Sequence, residues 1–485
     1  MKKIILILTF IITGFCSIAQ PDSIIRQFQT DFEKYKNSVD QEFEKYKAQN
    51  DSAFLQFLEK TWKEFDVFRR SQPVSPKPVE QPVIHEKKDT IPQQIETIAP
   101  VKSSAEVKKE LPFPELKEAE AIRFGARILS RPFNYFGEQV ECYYYPDKLP
   151  RLTVINESSI RLFYKALAEN DMLWKYNLAG FEKIKTTYKL NDWGYYLIIK
   201  KAAENIFPRQ NEQILFIWYA LLESGYQAKV GYNNNKIYLL LPSQQRLFNI
   251  LYLSEEGTDY YLLDNQDKEP GQLRTYQGFF AEYPKIISFK LNELPVFNHG
   301  NIKIRQIVYD QQNIRLKFNS QLINYFNTFP QCELSTYLGT PISPENNKIL
   351  DNLFEPLLSE KDKRTQVDIL LDFIQKAIAY KTDQEQFGKE RYMFAEECLY
   401  YPYADCEDRT NLLAELVNRY TKLATIVLNF PEHVALAVNF LNNEQGDFVL
   451  FEGKKYLVCD PTFINAKSGM LSVDFKDKKP EIIVN

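Results

Sequence analysis

The chain has 485 residues, a formal net charge of -4 at pH 7, 44% hydrophobic residues and 14% aromatic residues. That length exceeds one ordinary domain and predicts two or three folded units. The mild charge and the lack of a basic stripe argue against nucleic acid and against an anionic membrane as partners.

At the N-terminus, Lys2 and Lys3 precede an apolar run that reaches about Cys16, and Ser17-Ile18-Ala19 supplies small residues for cleavage. This is the pattern of a secretory signal peptide over residues 1–19, so an exported protein, periplasmic or extracellular, is expected. The run is shorter than the ~20 apolar residues of a spanning helix. Five cysteines remain beyond it: Cys142, Cys332, Cys398, Cys406 and Cys459. An odd number in an exported chain leaves a thiol free or paired between chains. No pair has CxxC spacing, so no zinc site is expected, and nothing in the sequence calls for a cofactor or calcium. The 3 histidines are His85, His299 and His433, which leaves imidazole chemistry few places to occur.

Residues 22–70 read as one long helix. Phe32, Phe43, Phe54 and Phe65 recur every eleven residues, followed at +3 by Tyr35, Tyr46, Phe57 and Phe68. Such a repeat keeps an aromatic stripe aligned along one face. Two readings stand: a coiled-coil stalk that self-associates or docks a partner, and a single amphipathic helix folded against the body. Residues 71–114 are Pro-rich and without periodicity, which predicts an extended linker holding His85.

From 116 to 270 an α+β domain is expected. Ile214–Glu223 is a strongly apolar helix ending at Gly225. Strand-like segments follow at Ala228–Tyr232, Lys236–Leu241, Ile250–Ser254 and Tyr260–Asp264. A β-rich connecting region covers 271–330, with His299 in a turn. The last unit, 345–485, opens with a helix over Arg364–Tyr380. Cys142, Cys332, Cys398 and Cys459 read as packing residues.

Ala404-Asp405-Cys406-Glu407-Asp408 opens a further helix, whose Leu412, Leu413, Leu416, Val417 and Tyr420 form one buried stripe. Asp405 suits the N-cap, with Asp408 completing a capping-box-like pair. Cys406 then sits in the first turn, where unpaired amides favour its thiolate. Asp405, Glu407 and Asp408 push the other way, so a histidine must supply much of the activation. Strands follow at Leu423–Leu428, His433–Val438, Asp447–Phe451 and Lys455–Cys459, the last running into Asp460. Cys406 to His433 and His433 to Asp460 are each 27 residues apart. Adjacent antiparallel strands can bring the three together, with Asp460 fixing the tautomer of His433. Singly, each residue is more often structural; together and in this order they suggest a Cys-His-Asp triad.

Asp405-Cys406-Glu407-Asp408, His433-Val434-Ala435-Leu436-Ala437-Val438 and Cys459-Asp460-Pro461-Thr462 resemble the transglutaminase-like superfamily. Leu371-Asp372-Phe373-Ile374-Gln375 through Tyr380, then Glu396-Glu397-Cys398-Leu399, is similar to that family's lead-in to the cysteine. The resemblance covers about 345–475. It implies an α+β, papain-like domain of helix plus antiparallel sheet, with Cys406 as nucleophile, His433 as base and Asp460 as orienting residue. Ala404 departs from the glycine common before the Asp-Cys pair. The family spans peptidases, amidases, protein crosslinkers and inactive members, so the implied mechanism is acyl transfer through a thioester rather than a named substrate. A protein or peptide substrate is expected, with cell-wall peptide as one option. The rival reading is a non-catalytic binding or assembly protein.

A shift of 195 lays Asn211-Glu212-Gln213 on Cys406-Glu407-Asp408, Tyr238 on His433, and Asp264 one residue short of Asp460. Either the middle domain is a degenerate copy without the thiol and imidazole, or any helix followed by strands aligns this well.

Overall fold

The computed structural model describes residues 127–263, 273–276, 283–441 and 444–484, together with the short strand Glu96–Thr97. The expected signal peptide, the 22–70 helix and Asp264 lie outside the described residues, as does the 71–114 linker apart from that strand. What is described is mixed α+β, and both of its five-stranded sheets are antiparallel.

After short strand pairs between Leu129 and Tyr144, the first half continues with helices α1 (Glu157–Ala168), α2 (Asp171–Thr187), α3 (Asp192–Ile206) and α4 (Gln210–Glu223). Asn156 and Asn191 cap α1 and α3 by accepting the Ser159 and Gly194 N–H groups, as short polar side chains do at N-caps. All of Leu215–Leu222 on α4 is buried, the mark of a central helix. The helix ends at Gly225, whose φ of +81° suits glycine alone among common residues. Strands β1 (Lys229–Tyr232), β2 (Ile237–Pro242), β3 (Tyr252–Glu255), β4 (Thr258–Leu262) and β5 (Arg274–Thr275) then form one sheet. In the connecting region β6 (Ile302–Tyr309) pairs with β7 (Gln312–Asn319), with Glu96–Thr97 along the other edge of β6, and β7 runs into α5 (Ser320–Phe326).

The second half opens earlier than the sequence suggests, with α6 (Pro344–Leu358) ahead of α7 (Lys363–Ala377). Helices α8 (Ala395–Tyr400) and α9 (Cys406–Thr421) follow. Strands β8 (Thr425–Phe430), β9 (His433–Val438), β10 (Phe448–Phe451), β11 (Lys454–Cys459) and β12 (Glu481–Ile483) complete it. Every residue of β9 is buried because the sheet is covered on both faces. Val434, Leu436 and Val438 join the main core with α9. Ala435 and Ala437 join a second cluster, where Phe430, Tyr456 and the C-terminal Phe475 pack.

The two halves share one topology. Their sheet orders are β5-β1-β2-β4-β3 and β12-β8-β9-β11-β10, which are equivalent strand for strand. Val230 pairs Leu239 as Val427 pairs Leu436, an offset of 197; Ser254 pairs Asp259 as Leu450 pairs Lys455, an offset of 196. Glu256-Gly257 and Glu452-Gly453 close matching two-residue hairpins with φ of +51°, +80° and +49°, +74°, the left-handed geometry such turns require. The single shift of 195 is therefore corrected on the strands: Lys236, not Tyr238, stands at the register of His433. The main core runs without a break from Phe133 to Cys459, so these stretches are parts of one compact unit.

Candidate functional site

Cys406 is the first residue of α9. Asp405 caps that helix, its side chain accepting the Asp408 N–H at 3.3 Å. The expected reciprocal bond is replaced: the Asp408 carboxylate accepts the Met393 N–H at 2.6 Å. Cys406 is 8% exposed. Its thiol donates to Glu407 Oε2 at 2.8 Å, and the Val434 backbone amide works against the rise in its pKa.

Burial first, then the charge and hydrogen bond of Glu407 and the charge of Asp405, raise the thiol pKa far above its ordinary value. The opposing pull of a helix N-terminus is worth about 0.3–1 kcal/mol, against about 1.5–3 kcal/mol for a hydrogen bond to a charged group. The carboxylates win, and Cys406 rests as a neutral thiol. Glu407→Gln removes the charge and keeps the shape. Below the thiol pKa each unit of lowering multiplies the thiolate about tenfold, so alkylation of Cys406 by iodoacetamide at pH 7.5, followed by intact mass, is expected to speed up by about that factor.

His433 begins β9. Its Nε2 lies 2.8 Å from Asp460 Oδ2, and its ring stacks on Phe475 with centroids 4.6 Å apart and planes 24° apart. Asp460 is held by its own turn: Oδ1 accepts the Thr462 and Phe463 N–H groups at 2.8 and 3.2 Å, which aims Oδ2 at the imidazole. With Nε2–H given to Asp460, Nδ1 is the free acceptor. Alternation along β9 puts His433 on the face of Ala435 and Ala437, whereas the neighbouring Val434 faces α9. Cys406 thus meets the strand one residue from His433. Among the described residues no hydrogen bond joins the sulfur to the ring: the thiol bonds Glu407 and the imidazole bonds Asp460.

Two positioning residues escaped the sequence reading. Arg409, 1% exposed, sits one turn beyond Cys406 and donates to the carbonyls of Pro461, at 3.2 Å, and Ile378. Gln375 donates to the carbonyls of Asp460, Phe463 and Ala466 at 3.2, 2.9 and 3.1 Å, and accepts the Asn465 N–H at 3.0 Å. Both fasten the loop that carries Asp460. The signal available was a polar side chain inside an apolar helical stripe, which demands buried partners.

The equivalent position in the first half is Asn211. Its Oδ1 accepts the Ile237 N–H at 3.0 Å, and Ile237 corresponds in strand register to Val434. Neither a thiol nor an imidazole stands there. Cys142, Cys332, Cys398 and Cys459 are buried free thiols, and His299 pairs with Glu138 at 3.1 Å.

Acidic groups gather round the start of α9. Burial, then repulsion from Glu390 and Glu407, pushes Asp383 up to about 7. Asp405 and Asp408 are raised by burial and by their carboxylate neighbours. Glu396 and Glu415 also reach about 7, chiefly through burial. A carboxyl whose folded pKa exceeds its unfolded one holds more protons when folded. The stability it contributes is complete below the unfolded pKa and lost as pH rises through the folded value. In the presence of chelator, Tm is therefore expected to be higher at pH 5 than at pH 8, as scanning calorimetry at the two values would show.

No family model, no curated protein and no solved structure matches the chain. Among the described residues no helix is long and apolar enough to cross a membrane.

Proposed function

We propose that the chain is an exported, cysteine-dependent acyl-transfer enzyme of the transglutaminase-like kind, acting on peptide or amide bonds. Cys406 attacks the carbonyl, His433 takes the thiol proton on Nδ1 and returns it to the leaving amine, and Asp460 steadies the imidazolium. The thioester is released to water or to an amine. First-turn amides of α9, that of Cys406 foremost, stabilise the oxyanion. The observation that carries this reading is the buried 2.8 Å His433–Asp460 pair at the start of β9, the strand that packs against the Cys406 helix. To react, the thiol leaves Glu407 and turns towards the ring.

One observation favours a second reading, a binding or assembly module: the resting thiol bonds Glu407 and not His433. The first half, with Asn211 and Lys236 at the corresponding positions, is a non-catalytic support in either case. The two readings separate on one assay with p-nitrophenyl acetate as acyl donor. An enzyme gives a burst of nitrophenol and an acetyl adduct that Cys406→Ala abolishes; a binding module gives neither.

A further inference from the structure

Three carboxylates from two separate segments converge beside the start of α9. Asp383 opens the short helix Asp383–Phe387, Asp405 is the N-cap of α9, and Asp408 lies in its first turn. They are 3%, 6% and 1% exposed. One carboxylate oxygen from each lies within 4.8 Å of the other two. Oxygens bound to a single ion at about 2.4 Å can be no more than about 4.8 Å apart, so the three share the dimensions of one Ca²⁺ coordination sphere.

Each carboxylate commits one oxygen to a backbone amide. Asp383 Oδ2 accepts the Arg391 N–H at 2.7 Å, Asp408 Oδ1 accepts Met393 N–H at 2.6 Å, and Asp405 Oδ1 accepts Asp408 N–H at 3.3 Å. Amides in that role orient the group as an outer shell orients metal ligands. The other oxygen of Asp408, in a side chain almost wholly buried, has no hydrogen-bond partner. An orphaned buried acceptor is costly and calls for a missing partner. The Arg391 guanidinium does not supply one, being bonded to Glu397 and to the Tyr401 hydroxyl. Among the described residues no Lys or Arg forms an ion pair with Asp383, Asp405 or Asp408.

We propose that Asp383, Asp405 and Asp408 bind a hard divalent cation of the Ca²⁺ class, tying the 383–393 segment to the start of α9. The donor set is oxygen alone, which disfavours soft metals. The orphaned Asp408 oxygen is the acceptor the ion would satisfy. Binding is measured without any activity, so this proposal and the thiol chemistry proposed above can fail separately.

The test uses the full chain, stripped with chelator, titrated calorimetrically with CaCl₂ and separately with MgCl₂ and MnCl₂, with Tm followed in parallel. The expected result is saturable binding of at least one of these ions with a matching rise in Tm. Asp383→Asn keeps the amide acceptor but removes one charge, and it should weaken binding by roughly 10- to 100-fold or more. Asp408→Asn should act likewise, and Asp383→Asn suffices should that variant fail to fold. The proposal is overturned if none of the three ions binds saturably, or if Asp383→Asn binds as tightly as the native chain.

Discussion

Replacing His433 by Ala is expected to slow acetylation of Cys406 by p-nitrophenyl acetate about 10²- to 10⁴-fold, the range a positioned general base contributes. The size of the effect follows from the state of the thiol. Burial, then Glu407 and Asp405, hold Cys406 protonated, so almost no spontaneous thiolate exists at neutral pH to substitute for the lost base. Asp460→Asn should fall nearly as far, for a reason visible in the turn. Asp460 Oδ1 is engaged by the Thr462 and Phe463 amides, so an Asn there keeps its carbonyl on them and turns its NH₂ towards Nε2. The imidazole must then carry its proton on Nδ1, the nitrogen that should accept from the sulfur. Both variants are compared with Cys406→Ala, and circular dichroism establishes that each is folded. A drop of less than about threefold in either would remove His433 from the chemistry.

The largest expected loss of stability is at Arg409. Arg409→Ala should lower the unfolding free energy by about 3–5 kcal/mol in urea denaturation, through three causes that overlap and so do not add in full. Two buried carbonyls, those of Pro461 and Ile378, lose a charged donor, each worth about 1.5–3 kcal/mol. The guanidinium also lies 5.3 Å from the Tyr380 ring centre, a cation–π contact worth about 0.5–2 kcal/mol. Truncating one of the largest fully buried side chains leaves a cavity in addition. Arg409→Lys should recover less than half, since a point charge on a flexible stem cannot reach two carbonyls in different directions. A cost below about 1 kcal/mol would mean that the Asp460 loop is held without Arg409.

The parts of the fold legible in the sequence were those set by local pattern. His433–Val438 was bounded to the residue because an apolar run follows Pro431-Glu432 directly, and it is β9. Asp405 as N-cap of the Cys406 helix was equally local. β8 was expected over Leu423–Leu428 and lies at Thr425–Phe430. Lys422, with φ +59°, ends α9 and Leu423 finishes that turn, so pairing with β9 sets the strand start. The likeness of the two sheets was visible as an offset of 195 but not as the 197 and 196 of their strands. Loop lengths differ between the halves, and only the ladders fix register. The convergence of Asp383 with Asp405 and Asp408 was invisible, because a contact between segments leaves no periodicity behind. Arg409 and Gln375 were signalled only as polar side chains in apolar stripes; their partners were not, being backbone carbonyls that every residue carries.

Acylation of the Cys406 sulfur, and its dependence on His433, separates an enzyme from a binding module most directly. After incubation with p-nitrophenyl acetate, proteolysis and mass spectrometry of the peptides would locate the acetyl group. The expected result is a single thioester on Cys406, absent from the His433→Ala chain under the same conditions. Acetylation confined to lysines, or a Cys406 adduct that forms equally fast without His433, would contradict it.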